Sequence, residues 1–159
     1  MATKTVYAIG LGSNRRGRHG GPADEVRAAL AAIGGVVAVS PVIVTPPLGP
    51  SIRRFANAAA LIQCTETPPQ LLARLKRIEA AFGRRRGRRW GARVIDLDIL
   101  LWSEGRWRTR HLVVPHTALA ERAFALQPLR HIAPDWRHPL RGRTVRQLAA
   151  RIDRRRPRA

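Results

Sequence analysis

A single cysteine, Cys64, leaves no partner for an internal disulfide and too few thiolates for a cysteine-based zinc site, as expected of a reducing compartment. No apolar run approaches the roughly 20 residues that span a bilayer. The segment from Met1 to Tyr7 enters a strand-like stretch directly and lacks a signal-peptide pattern. The expectation is therefore a cytoplasmic protein with no membrane partner. Internal repeats are absent, as is any linker long enough to divide domains. The 159 residues are expected to form one domain, with its core over 5–135 and a basic C-terminal helix and tail over 143–159. Walker-A, Ser-His-Asp and dinucleotide-fingerprint patterns are missing as well, and His19, His111, His131 and His138 show no metal-ligand spacing.

Acidic residues are scarce too. Ten Asp and Glu stand against 30 Lys and Arg, a formal charge of +20. Such a field attracts nucleotides, nucleic acid and anionic surfaces alike, and it equally describes a solvated, arginine-favouring exterior. The run Arg154 to Arg158 reads as a terminal tail. Charge alone does not separate an ATP enzyme from an RNA binder.

What is present is enough apolar sequence for a core, since 45% of the residues are hydrophobic. Thr5 to Leu11 reads as a strand, followed by a loop of Gly, Asn and Arg through Gly21. Pro22, Asp24 and Glu25 suit the start of a helix, Val26, Leu30 and Ile33 its buried stripe, and Gly34 its end. Val36 to Val44 is rich in β-branched residues, and Pro41 within it implies an edge or a bulge. Phe55 to Cys64 reads as a strand despite alanines that favour helix. Thr67 and Gln70 have capping-box spacing, Pro68 fits a first helical position, and Leu71, Leu72, Leu75, Ile78 and Phe82 form a stripe ending at Gly83. Val94 to Trp102 is an apolar strand, Leu112 to Val114 a short one, and Arg143 to Ile152 a last helix. Strand, helix, strand, strand, helix, strand in that order predicts an α+β, ferredoxin-like βαββαβ core, mostly antiparallel, with an additional C-terminal strand and helices.

The most informative segment runs from Arg89 to Leu101. Period-two geometry puts Asp96 and Asp98 on one face of its strand, with Ile95, Leu97 and Ile99 on the other. Neighbouring carboxylates repel and are costly to desolvate, and a divalent cation relieves both costs; hard oxygen ligands select magnesium. The competing reading is a solvated acid pair partnered by arginines. Immediately upstream, Arg84, Arg85, Arg86, Arg88, Arg89 and Arg93 are interrupted by Gly83, Gly87 and Gly91. That composition suits a loop closing over phosphate oxygens, or a nucleic-acid patch with Trp90 as a stacking residue. With the aspartates beside it, the first reading supplies what phosphoryl transfer requires.

Thr45-Pro46-Pro47-Leu48-Gly49-Pro50 is a stiff segment suited to pressing its backbone against a flat heterocycle, or simply to joining two strands. Phe55 with Asn57 suits a heteroaromatic ring, and His116 and Arg122 are potential phosphate donors.

Together, these segments resemble the hydroxymethyldihydropterin pyrophosphokinase family of folate biosynthesis. The resemblance runs from about Val6 to Pro134 and rests on Gly12-Ser13-Asn14, Thr45 to Pro50, Phe55 with Asn57, Arg89 to Ile99, and Val114-Pro115-His116 with Arg122 and Phe124. It implies a ferredoxin-like monomeric enzyme that moves pyrophosphate from ATP to 6-hydroxymethyl-7,8-dihydropterin, yielding AMP. Asp96 and Asp98 would hold two magnesium ions. The pterin would lie against Thr45, Pro46, Leu48, Phe55, Asn57 and Phe124, and ATP along Glu79, Arg86, Trp90, Ile99, His116 and Arg122. Arg84 and Arg93 would act in catalysis with the aspartates. The chain departs from the family at Ser51-Ile52-Arg53-Arg54, where an acidic or glutamine-containing stretch is frequent, and at His111, Val113 and Thr117. The rival reading is a ferredoxin-like nucleic-acid-binding module, but its aromatic strand pattern is missing and two strand acids would repel RNA. Nucleic acid is not the expected partner.

Overall fold

The computed structural model describes residues 2–45, 54–83 and 93–155. Its main sheet contains β1 (Thr5–Ser13), β2 (Val36–Val39), β3 (Ile43–Thr45), β4 (Phe55–Cys64) and β5 (Asp96–Trp102). The order is β2-β4-β1-β5, with β3 continuing the β2 edge against β4, and every pairing is antiparallel. Helices α1 (Pro22–Ile33) and α2 (Pro68–Ala81) connect the strands in the ferredoxin-like manner. A small ribbon, β6 (Trp107–Arg108) with β7 (Val113–Val114), precedes α3 (Ala123–Ile132) and α4 (Val145–Arg155).

The two faces of the sheet carry separate cores. Tyr7, Ile9 and Leu11 of β1, alternating Ala56, Ala58, Ala60 and Ile62 of β4, and Leu97 and Ile99 of β5 pack with Val26, Ala29 and Ile33 of α1 and Leu71 and Leu75 of α2. Ala8, Ala59, Leu100 and Leu101 face the opposite way, against Leu126 and Leu129 of α3 and Val145 and Leu148 of α4. Burying each such leucine or isoleucine contributes about 1.5–3 kcal/mol. The alanines that argue locally for helix are explained by this double covering. Small side chains let β4 lie between two helical layers, so packing overrides propensity.

Helix signals in the sequence correspond to real caps. Thr67 Oγ1 accepts from Gln70 N at 3.4 Å while Gln70 Oε1 accepts from Thr67 N at 2.9 Å, the reciprocal box that starts α2. Gly34 ends α1 at φ 69°. Pro41 separates β2 from β3 on the sheet edge, as a residue without a donor requires. Glu25 departs from its expected role as a charge at a helix start. It is fully buried, accepting from His19 N at 2.7 Å through Oε1, with His19 Nδ1 at 2.9 Å from Oε2.

One irregularity lies close to the acids. Ile9 pairs with Ile99 but Ala8 with Leu101, so Leu100 is an extra residue, a β-bulge in β5.

Candidate active site

The β-phase expected from the sequence is present. Leu97 and Ile99 are 4% exposed in the α1–α2 core, whereas the Asp96 and Asp98 side chains, 42% and 36% exposed, emerge on the other face. Pairing aligns Asp96 with Gly12, which on its other side is paired with Asn57, and aligns Asp98 with Gly10. Paired residues share a face, so Asn57, two glycines and two carboxylates form a patch across three strands. Gly10 and Gly12 leave its floor without side chains. A Cβ on Gly12 would stand 3.1 Å from Asn57 Oδ1, and one on Gly10 3.3 Å from the Leu100 side chain. The start of α3 closes the other side, giving a recess lined by Gly10, Gly12, Asn57, Asp96, Asp98 and Phe124, with Leu100, Arg122 and Ala125 beside them.

Three basic side chains converge on the acids. Arg93 Nη1 lies 3.1 Å from Asp96 Oδ1. Arg122 Nη1 and His116 Nε2 approach Asp98 at 3.8 and 3.9 Å, longer than hydrogen bonds. His116 is oriented by its main chain: its N–H donates to Leu100 O at 3.0 Å, and its Nδ1 accepts from Ala118 N at 3.1 Å. With Nδ1 accepting, the proton of the neutral ring sits on Nε2, facing Asp98. Arg122 also lies over the Phe124 ring, 5.5 Å from its centroid.

Burial raises the Asp98 pKa, and repulsion from Asp96 adds to this; His116, Arg122 and Lys76 oppose it without cancelling it. Burial likewise lowers the His116 pKa, against the pull of Asp98. Among the described residues, the cations around Asp98 therefore do not offset the cost of its burial beside Asp96. Among the described residues no group of three or more His, Cys, Asp or Glu could hold a metal ion.

The site residues inferred from sequence divide as follows. Asn57, Asp96, Asp98, Arg122 and Phe124 come together at the recess, with Arg93 and His116 on the acids. Thr45, at the end of β3, pairs with Phe55 at the start of β4, and both are half-buried outside the residues lining the recess. Ile99 faces the α1–α2 core, so its side chain is turned away from the acids. Glu79 is buried on α2 and accepts from Leu97 N at 2.9 Å through Oε2. Pro46, Leu48, Arg84, Arg86 and Trp90 lie outside the described residues. Residues that sequence reasoning passed over are Gly10, Leu100 and Ala125. Two glycines spaced by two in β1 are the signal that points to a bare patch on one sheet face.

Sheet order, crossovers and recess define a ferredoxin-like α+β protein with an acid-lined cleft on the sheet face opposite α1 and α2. The chain belongs to the 7,8-dihydro-6-hydroxymethylpterin-pyrophosphokinase (HPPK) family, whose family model matches residues 8–134. It is 45% identical over 148 residues to the 2-amino-4-hydroxy-6-hydroxymethyldihydropteridine pyrophosphokinase of Methylorubrum extorquens, covering 91% of this chain and 92% of that one. It is 42% identical over 151 residues to the protein of that name from Pseudomonas aeruginosa, covering 91% and 90%. The crystal structure of Plasmodium falciparum HPPK-DHPS wild type shares the fold, with a TM-score of 0.72 at 14% identity; the match covers 94% of this chain and 41% of that one. Among the described residues, no helix is long and apolar enough to cross a membrane.

Proposed function

We propose that this chain transfers the pyrophosphoryl group of ATP to the hydroxymethyl oxygen of 6-hydroxymethyl-7,8-dihydropterin, a step of folate biosynthesis. The observation that carries the reading is the pair Asp96 and Asp98, side by side on a bare sheet face with glycines beneath them. Family membership and two bacterial relatives bearing the pyrophosphokinase name, each matched over most of its length, support it.

The donor set fits magnesium. That ion takes one or two carboxylates, with waters and substrate phosphates completing its shell, so two aspartates suffice when ATP arrives with the metal. Asp96 and Asp98 would hold two such ions, which supply charge neutralisation and polarisation at the phosphates. The pterin would lie on the floor of Gly10 and Gly12, its edge read by Asn57 and its face covered by Phe124. Adjacent strands are about 4.8 Å apart, so the row Asn57–Gly12–Asp96 spans about 10 Å, room for a flat fused ring. Phe55, Thr45, Pro46 and Leu48 would complete the pterin side. Arg122 and His116 would hold phosphate oxygens beside Asp98, with Arg86, Trp90, the Ile99 main chain and Glu79 along the nucleotide. The hydroxyl oxygen bonds to the β-phosphorus, the bond from that phosphorus to the α,β-bridging oxygen breaks, AMP leaves with that oxygen, and the hydroxyl proton passes to solvent. Arg84 and Arg93 would stabilise charge that grows on the way. The expected setting is the cytoplasm, as a monomer acting on small molecules.

The test is a product assay with ATP, magnesium and 6-hydroxymethyl-7,8-dihydropterin. Pterin-dependent AMP with an equal yield of pterin diphosphate is the expected result. If magnesium-ATP binds yet no AMP forms, the acceptor is a different alcohol. If nucleotide does not bind and single-stranded RNA does, the nucleic-acid reading replaces this one. A further expectation concerns Arg93→Ala, which removes the guanidinium beside Asp96. It should lower kcat by about 10²-fold while raising the Kd for ATP much less, because the contact strengthens in the transition state. Single-turnover kinetics and calorimetry with a non-hydrolysable analogue measure the two effects separately, and a pure affinity loss contradicts the role.

A further inference from the structure

The loop between β1 and α1 has no part in the function so far, yet it touches both described ends of the chain around 84–92. Asn14 meets Arg93 through two hydrogen bonds: Asn14 N donates to Arg93 O at 3.1 Å, and Arg93 N donates to Asn14 Oδ1 at 2.6 Å. Gly17 packs so closely on the following residue that a Cβ there would stand 2.6 Å from Val94 Cγ1 and 2.6 Å from Glu25 Oε1. His19 is anchored through its main-chain N and ring to the buried Glu25 carboxylate, and its ring lies 4.9 Å from that of Phe82, the C-cap of α2. A single loop fastened to α1 by Glu25 therefore contacts Phe82 on one side of the arginine-rich stretch and Arg93 and Val94 on the other.

We propose that the loop from Asn14 to His19 is a positioning brace for the reaction, and that Asn14 is its chief residue, fixing the Arg93 backbone so that the guanidinium meets Asp96. Asn14 touches neither substrate in this reading; it acts through Arg93. Only the side-chain half of the clamp depends on the residue type, since the Asn14 N–H bond survives substitution. An acceptor at the Oδ1 position is what the geometry requires, and Asn and Asp both supply it while Ala does not. Displacement of a catalytic group by about 1 Å can cost about 10²-fold in rate. The proposal rests on the pyrophosphoryl-transfer reading for its kinetic test and stands apart from it in its structural test.

Three proteins decide the matter: wild type, Asn14→Ala and Asn14→Asp, each checked for an unchanged thermal midpoint and measured for steady-state kinetics and for hydrogen exchange of the Arg93 amide by NMR. In Asn14→Ala, Arg93 exchange should accelerate and kcat should fall by about 10²-fold, with KM for both substrates nearly unchanged. Asn14→Asp should recover most of both. The proposal is overturned if Asn14→Ala keeps its kcat, if its loss lies in KM alone, or if Asn14→Asp is as impaired as Asn14→Ala. An inactive wild type would defeat the functional reading, and the exchange rates would still decide the clamp: equal Arg93 exchange in wild type and Asn14→Ala overturns it.

Discussion

Asp98→Ala is expected to abolish AMP formation, with a loss of about 10³-fold or more, while the thermal midpoint stays level or rises. Loss of activity alone would be unremarkable for a proposed magnesium ligand; the stability half of the result is what separates the explanations. Burial and Asp96 together raise the Asp98 pKa despite Arg122 and His116. The folded state therefore disfavours the ionised form, and deleting the carboxylate removes a cost rather than a support. Arg122 and His116 are partly exposed and sit 3.8 and 3.9 Å away, so neither becomes a stranded buried charge. A carboxylate held against the preference of its fold is what the proposed metal-binding role requires. Asp96→Ala should match the kinetic loss and also release Arg93 from its 3.1 Å contact. Magnesium titration in the presence of a non-hydrolysable ATP analogue, alongside product assay and melting curves, checks all three quantities. Most activity surviving in either variant would end the metal assignment.

Gly12→Val should produce the second large effect, a fall of about 10²-fold or more in kcat/KM for the pterin with a folded protein. Gly12 sits within β1 between Asn57 and Asp96, at the floor of the recess. A first added carbon already stands 3.1 Å from Asn57 Oδ1, and valine's two methyl groups go beyond it into the space assigned to the ring. The backbone raises no objection, because valine is a good strand residue and glycine is a poor one. Stability should thus hold while the recess fills. ATP affinity, measured by calorimetry, should change far less than the pterin KM. Equal damage to both substrates would place the pterin elsewhere.

The sequence shows the layout of β1, α1, α2 and β5 because periodicity, capping residues and glycine stops are local signals, whereas the alanines of β4 argue locally for helix and only its burial between two layers makes it a strand. The phase of Asp96 and Asp98 follows from counting by two. Other parts are decided by distant neighbours. Helix α3 contains Pro128 in its interior, which removes a backbone donor and disguises the helix; its hold on the sheet comes from Leu126 and Leu129. The approach of His116 and Arg122 to Asp98 depends on the β6–β7 ribbon and the turn after it, and no spacing in the chain encodes that approach. Asn14 is equally opaque, since its partner Arg93 is 79 positions away.

The bulge at Leu100 is a departure from what the sheet would do if left to itself. Striking out that residue would let Ile99 and Leu101 follow one another in step against Ile9 and Ala8, giving a smoother ladder with the aspartates still outward. Regular pairing would gain, at the loss of one buried leucine from the core against α3. What would vanish is the side chain that overlies Gly10 and the carbonyl that tethers His116. Leu100 is a guest in the strand, held by the core on one side and furnishing the recess on the other.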